Sequence, residues 1–185
     1  MTLQPDDRRD CMIHRVVLLG FMAAGKTAVG AELARRLGWR QVDLDAWIEA
    51  REGKRVARIF AEDGEARFRA LEAEATREVA GMTGVVLSPG GGWITRPENL
   101  EALGAGTLSV WLQVSPEEAV RRAGEAPGER PLLAGPDPLA AARRLLGERT
   151  PLYARAALRV DTEGRPPEAV AAIIEAEVRA RNGPA

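Results

Sequence analysis

The chain has 185 residues, 45% of them hydrophobic, which is enough for one buried core and one ordinary domain. Its 26 Lys and Arg against 27 Asp and Glu leave a net charge of -1, so no global basic field draws it to nucleic acid or to an anionic membrane. One cysteine, Cys11, and one histidine, His14, exclude an intrachain disulfide and argue against a Cys/His zinc site, which suits a reducing, cytoplasmic setting.

In chain order, residues 1–14 are polar and aperiodic and read as a leader. The apolar run that follows is far short of the ~20 residues of a membrane span and stops at Lys26, so it reads as a strand and turn rather than a signal segment. Short β-rich runs then alternate with helical patterns. Strands are expected at 16–19, 41–44, 85–87, 108–114 and 158–160, and helices at 26–37, 98–103, 117–123 and 167–181, with helical regions over 45–80 and 139–156. This alternation predicts an α/β domain over 15–181, its parallel sheet covered by helices on both faces, with 182–185 as a tail. Ligands of such a sheet gather at the strands' carboxyl ends. Residues 124–137 are too rich in Gly and Pro for a helix or strand; they read as a surface loop or, beside a phosphate site, a lid.

Directly after the first expected strand stands GFMAAGKT, Gly20 to Thr27, which satisfies G-x-x-x-x-G-K-[ST] at every specified position. Gly20 and Gly25 let the backbone turn so that successive N–H groups point at phosphate oxygens, and the next helix adds its positive N-terminal end. Lys26 can neutralise β/γ charge, and the Thr27 hydroxyl can ligate Mg²⁺. The flanking strand and the amphipathic helix carrying Val29, Leu33 and Leu37 supply the context that a chance Gly-Lys-Thr turn would lack. A dinucleotide-binding turn is excluded here by the absence of G-x-G-x-x-G.

At the end of the second strand, period-2 geometry puts Asp43 and Asp45 on one side. Phosphoryl transfer to an alcohol needs one carboxylate to orient the hydroxyl and take its proton, and a metal to bridge the phosphates. The competing reading is a solvated strand end, with Asp45 as the N-cap of the next helix. Further on, Glu65, Phe68, Arg69 and Glu72 share one helical face, a pattern that an ordinary exposed helix would also show, and spacing does not favour Arg69 over Arg67.

Taken in order, LLGFMAAGKTAVGAELA, VDLD, IFAEDGEARFR, VLSPGGG, RPLLAG, ERTPLY and VDT resemble the shikimate kinases, a nucleoside-monophosphate-kinase-like family of P-loop enzymes. The resemblance implies a three-layer fold with a five-stranded parallel sheet in the order 2-3-1-4-5, a mobile lid at 124–137 and a substrate-binding region at 43–72. It implies ATP as co-substrate, Mg²⁺, and transfer to the 3-hydroxyl of shikimate. A monomer is expected separately, because no long apolar stripe is left unexplained. Gly20, Ala23, Ala24, Gly25, Lys26, Thr27 and Ala28 would then hold the nucleotide, with Arg122, Arg165 and Pro166 flanking the adenine. Asp45 would activate the acceptor hydroxyl, and Asp43 would organise Mg²⁺ beside Thr27. Arg69 and Arg149 would grip the substrate carboxylate, a task suited to a planar guanidinium. Gly90, Gly91 and Gly92 would bring backbone N–H groups to the substrate, and Arg130 would stabilise charge on the transferring phosphoryl. Phe60 and Phe68 would wall the pocket, or simply pack helices. Ala23 and Ala24 inside the loop, and Pro89 and Trp93 around the glycines, depart from the family's usual pattern. A sister P-loop kinase for gluconate or a nucleoside monophosphate should lack the combined VDLD, GEARFR and ERTPLY set. A nucleotide-binding module without transfer activity should lack Lys26, Asp45 or Arg130.

Overall fold

Strand β1 (Arg15–Leu19) is buried along its whole length and divides the molecule into two cores. Successive strand side chains point to opposite faces, so Val16 and Leu18 enter one apolar cluster while Val17 and Leu19 enter the other. A computed structural model of the chain describes residues 12–125 and 136–183. Among these, β1, β2 (Arg40–Asp43), β3 (Val85–Ser88), β4 (Thr107–Gln113) and β5 (Leu158–Asp161) form a five-stranded sheet in the order β2-β3-β1-β4-β5. Every neighbouring pair is parallel. The sheet order that the resemblance implied is the one observed.

On one face, α1 (Lys26–Leu37), α6 (Pro116–Glu125), α7 (Pro138–Tyr153) and α8 (Pro167–Asn182) pack residues such as Leu33, Ala119, Leu145 and Ile174 against the sheet. On the other lie α2 (Leu44–Glu52), α3 (Val56–Glu62), α4 (Gly64–Ala80), α5 (Pro97–Leu103) and the short 3₁₀ turn Trp93–Thr95. Each fully buried aliphatic or aromatic side chain in these layers contributes about 1.5–3 kcal/mol.

The expected helical region at 45–80 is three helices. Gly53 and Gly64, both at positive φ, break it where the chain must change direction over the sheet. The expected helix over 139–156 ends at Tyr153, with Pro151 in its last turns removing a helix donor. The described fold also begins earlier and ends later than the sequence suggests. Ile13 joins the core, its N–H donates to Asn182 Oδ1 at 2.6 Å, and Asn182 Nδ2 donates back to Ile13 O at 2.9 Å.

Arg15, at the head of β1, is only 2% exposed, and among the described residues it forms no ion pair with a carboxylate. Its guanidinium instead donates to Val79 O and Ala80 O at the end of α4, to Leu103 O at the end of α5, and to Thr107 Oγ1. Burial pulls its pKa down, but the carbonyl ends of two helices offer the partial negative charge that keeps a cation there. Arg15→Met keeps the aliphatic stem and strips these bonds, and should lower unfolding free energy by about 2–4 kcal/mol, read from the urea denaturation midpoint.

Candidate active site

The phosphate-binding loop leaves β1 through Gly20, whose φ is 150° and where an added Cβ would stand 2.6 Å from Leu112 O of β4. Gly25, at φ 93°, turns the chain into α1. Between them Ala23 holds φ 60°, a left-handed conformation that disfavours a side-chain-bearing residue by roughly 1–2 kcal/mol. Backbone strain of this kind is held at functional loops by the structure around them. Here Arg122 of α6 donates to Ala23 O at 3.5 Å and to Thr162 O at 2.9 Å, tying the loop to the turn after β5. Lys26 Nζ bends back to donate to Gly20 O at 2.9 Å and Phe21 O at 3.0 Å, on the inner side of the loop.

Two confluent hollows open at the carboxyl ends of the strands. A cleft of about 520 Å³ takes in Lys26, Thr27, Asp43, Asp45, Gly90 and Gly91. A second, of about 400 Å³, is bounded by Arg121, Arg165, Pro166 and Thr162, and the two share Ala23, Gly25 and Arg122. The loop residues, both aspartates and the residues expected to flank adenine are therefore on one continuous surface.

The two aspartates reach that cleft by a route different from the one expected. Strand β2 ends at Asp43 and helix α2 begins at Leu44, so Asp45 sits in the helix's first turn rather than two residues along a strand. The N-cap is Asp43, whose Oδ1 accepts from Ala46 N at 3.2 Å, and not Asp45. Its other oxygen accepts from Thr27 Oγ1 at 3.2 Å. This hydroxyl–carboxylate pair at the mouth of a phosphate loop fits Mg²⁺, which takes one or two protein oxygens and completes its shell with phosphate and water. Asp45 is different in kind. Its Oδ1 is buried without a hydrogen-bond partner among the described residues, and burial, reinforced by the charge of Asp43, pushes its pKa up to about 6. A carboxylate poised there, bordering the cleft, is suited to receive a proton near neutral pH.

Opposite the loop, the glycines after β3 form a surface bare of side chains. A Cβ at Gly90 would stand 3.2 Å from Asp45 Oδ1, one at Gly91 3.4 Å from Arg149 Nη1, and one at Gly92 2.8 Å from Arg69 Nη2. Three charged groups from α2, α7 and α4 thus converge on one turn. Arg69 is singled out over Arg67 by its partners: Nη1 donates to the fully buried Glu72 at 2.6 Å and Nη2 to Glu65 at 3.1 Å. Arg67 instead pairs with Glu52 on the surface. Phe60 and Phe68 stack with ring centroids 4.6 Å apart but do not border the cleft; Phe68 is in the core beneath Arg69, and Phe60 is exposed. Arg130, and most of the expected lid at 124–137, lie outside the described residues; Gly124 and Glu125 complete α6, and Asp137 caps α7 through Ala140 N.

Several contributors were given no role by the sequence, although Ser88 and Tyr153 lie within the VLSPGGG and ERTPLY stretches. Ser88, buried at the end of β3, borders the cleft and donates to Lys26 O at 3.1 Å. Gln41 Nε2 donates to Thr27 O at 2.8 Å. Tyr153 donates its hydroxyl to Gly91 O at 2.9 Å, and burial pushes its pKa up to about 12, so it stays a donor. Glu72 was visible as the residue three after Arg69, but its complete burial was not.

A sequence model described as shikimate kinase matches residues 22–179. A shikimate kinase of Mycobacterium avium is 49% identical over 160 residues, 86% of this chain and 90% of that relative. The solved shikimate kinase from Acinetobacter baumannii, in complex with shikimate, superposes with a TM-score of 0.81 at 33% identity, over 90% of this chain and 93% of that one. A gluconokinase from Sinorhizobium meliloti, at 19% identity and a TM-score of 0.56, with 91% of each chain covered, shares the fold alone.

The Asp45 environment yields a test on stability. The folded chain holds this proton more tightly than an unfolded one, so ionisation opposes folding: the penalty is absent below the ordinary value of 3.8, grows as pH rises, and is complete above about 6. Asp45→Asn should therefore stabilise the protein at pH 7–8 by about 1–3 kcal/mol, with the gain fading below pH ~4. Urea denaturation at both pH values reads this, and a loss of stability at pH 7–8 would refute it.

Proposed function

This chain belongs to the shikimate kinase family, and we propose that it transfers the γ-phosphoryl group of ATP to the 3-hydroxyl of shikimate, giving shikimate 3-phosphate and ADP. The observation that carries this reading is the glycine turn, where Asp45, Arg149 and Arg69 face three successive residues opposite the phosphate loop. A general base and two guanidiniums in that arrangement recognise a small acid that also carries a hydroxyl.

In this mechanism the N–H groups of residues 20–27 and the N-terminus of α1 cradle the phosphates. Lys26 leaves the loop carbonyls for the β/γ oxygens, and Ala24 and Ala28 sit close enough to line the same site. Arg122 and the Arg165-Pro166 turn flank the adenine in the second hollow. Thr27 and Asp43 would hold Mg²⁺, which would supply positive charge against the charge that develops on the phosphates. Arg69 and Arg149 hold the acceptor's carboxylate, and the turn's backbone lets the ring lie close. Asp45 accepts the hydroxyl proton as the oxygen attacks phosphorus and the bond to the ADP oxygen breaks. Arg130 stabilises the charge on the transferring group, and Phe60 and Phe68 support the wall behind Arg69. The protein works as a monomer in the cytoplasm; among the described residues no helix is long and apolar enough to cross a membrane.

ADP release from ATP and Mg²⁺, with shikimate, gluconate, AMP and CMP offered in parallel, tests the reaction directly. Release is expected with shikimate alone, and turnover with another acceptor would overturn the reading. Because Asp45 must lose its proton to act, kcat/KM for shikimate should rise with pH through about 6 and then level off. Asp45→Asn should cut turnover by at least about tenfold while leaving ATP affinity intact. Arg149→Ala should weaken binding of the acid by about 2 kcal/mol or more, and an equal loss for an analogue lacking the carboxylate would contradict its role.

A further inference from the structure

Trp93 follows the last glycine of the turn and is fully buried. A Trp in the interior needs a partner for its indole N–H, and here Nε1 donates to Thr76 Oγ1 of α4 at 2.9 Å. Thr76 is itself fully buried, and its hydroxyl donates onward to Glu72 O at 2.6 Å. Glu72 in turn holds Arg69. Thr76 lies two helical turns beyond Arg69 on the same helix, so both are on one face of α4. The backbone of Trp93 is fixed as well: its N–H donates to Gly90 O at 3.1 Å, and its carbonyl accepts from Asn99 Nδ2 at 3.1 Å.

We infer that the Trp93–Thr76 hydrogen bond is a positioning device for the acceptor site, locking the glycine turn to the helix that carries Arg69. The inference rests on the reading of Arg69 and the turn as the holders of the acceptor acid. Gly92 is the residue before Trp93, and the space of its missing Cβ is 2.8 Å from Arg69 Nη2. Any movement of the indole therefore changes the gap between Arg69 and the turn. The link touches neither the phosphate loop nor Asp45. It sets where the acceptor is held and leaves nucleotide binding and proton transfer to other elements. Trp93 and Thr76 are thus positioning residues, not catalytic ones. Because Thr76 is also bonded to the α4 backbone, its hydroxyl is oriented by the helix and presents a lone pair to the indole. Serine could reproduce this; valine, of the same shape, could not.

The test compares Thr76→Val, Thr76→Ser, Trp93→Phe and the double variant Thr76→Val/Trp93→Phe with the unchanged chain. Shikimate affinity is measured by calorimetry, and kcat and both KM values by ADP release, on proteins whose thermal unfolding is cooperative. Thr76→Val and Trp93→Phe should each weaken shikimate binding about five- to tenfold, with kcat and KM for ATP within about twofold of the original. Thr76→Ser should restore affinity to within about twofold, and the double variant should be no weaker than the weaker single one, since both remove the same bond. Unchanged shikimate affinity in Thr76→Val, a parallel rise in KM for ATP, or a Thr76→Ser as impaired as Thr76→Val would each overturn the inference. If Trp93→Phe fails to fold, the valine and serine variants decide it alone. An unchanged chain that binds no shikimate removes the acceptor reading and this inference together; one that binds it while all variants bind equally removes only the inference.

Discussion

The structure of the site depends on a constraint of space at the end of β3, where three successive residues have no side chain. Each of the three faces a different charged group: a methyl would crowd Asp45 at 3.2 Å and Arg69 at 2.8 Å, and would just touch Arg149 at 3.4 Å. These groups belong to helices on different parts of the sheet, and only a bare backbone lets them approach one another. A glycine also lacks a Cβ to shield its own N–H, so the turn offers donors as well as room. The parallel sheet makes this meeting possible, because it brings the ends of β1, β2 and β3 to the same edge and starts a helix or turn from each.

That convergence is electrostatically unfavourable in parts and is held by the surrounding packing. Asp45 is buried beside another carboxylate, and Glu72 is fully buried with one oxygen unpartnered among the described residues. Burial pushes the Glu72 carboxyl upward, while the adjoining Arg69 opposes the shift. A buried charge pair adds little net stability by itself, but it fixes the orientation of a guanidinium that would otherwise sample many rotamers. The strained Ala23 in the phosphate loop belongs to the same economy: stability is given up locally where geometry matters.

The frame that carries this load is apolar and continuous. Two clusters, one on each face of the sheet, surround the central strands β1, β3 and β4, which are almost wholly buried. Arg15 closes the opposite end of the sheet by binding the terminal carbonyls of α4 and α5. The helix that carries Arg69 is thus anchored at its far end by a buried cation and one turn earlier by the indole of Trp93. Tyr153, stacked on Trp111, supports the turn from the other side through Gly91 O. Rigidity at the glycine turn comes from these packed and hydrogen-bonded supports rather than from the charged groups themselves.

The sequence by itself determined the layered α/β architecture, because strand and helix periodicities follow from local side-chain direction. It also determined the phosphate loop, because the roles of Gly20, Gly25, Lys26 and Thr27 are set by neighbours in the chain. The ordered motifs, read through a family resemblance, extended this to the sheet order, which the structure shows. What only the tertiary structure decided concerns groups whose partners are distant in the chain. The helix start at Leu44 made Asp43 the cap and left Asp45 Oδ1 buried and without a hydrogen-bond partner among the described residues, an outcome of how α2 seats on the sheet. The choice of Arg69 over Arg67, the complete burial of Glu72 and the pairing of Trp93 with Thr76 likewise came from which face of α4 meets the core. Burial and long-range hydrogen bonds are properties of the packed chain, and no local pattern of residue types encodes them.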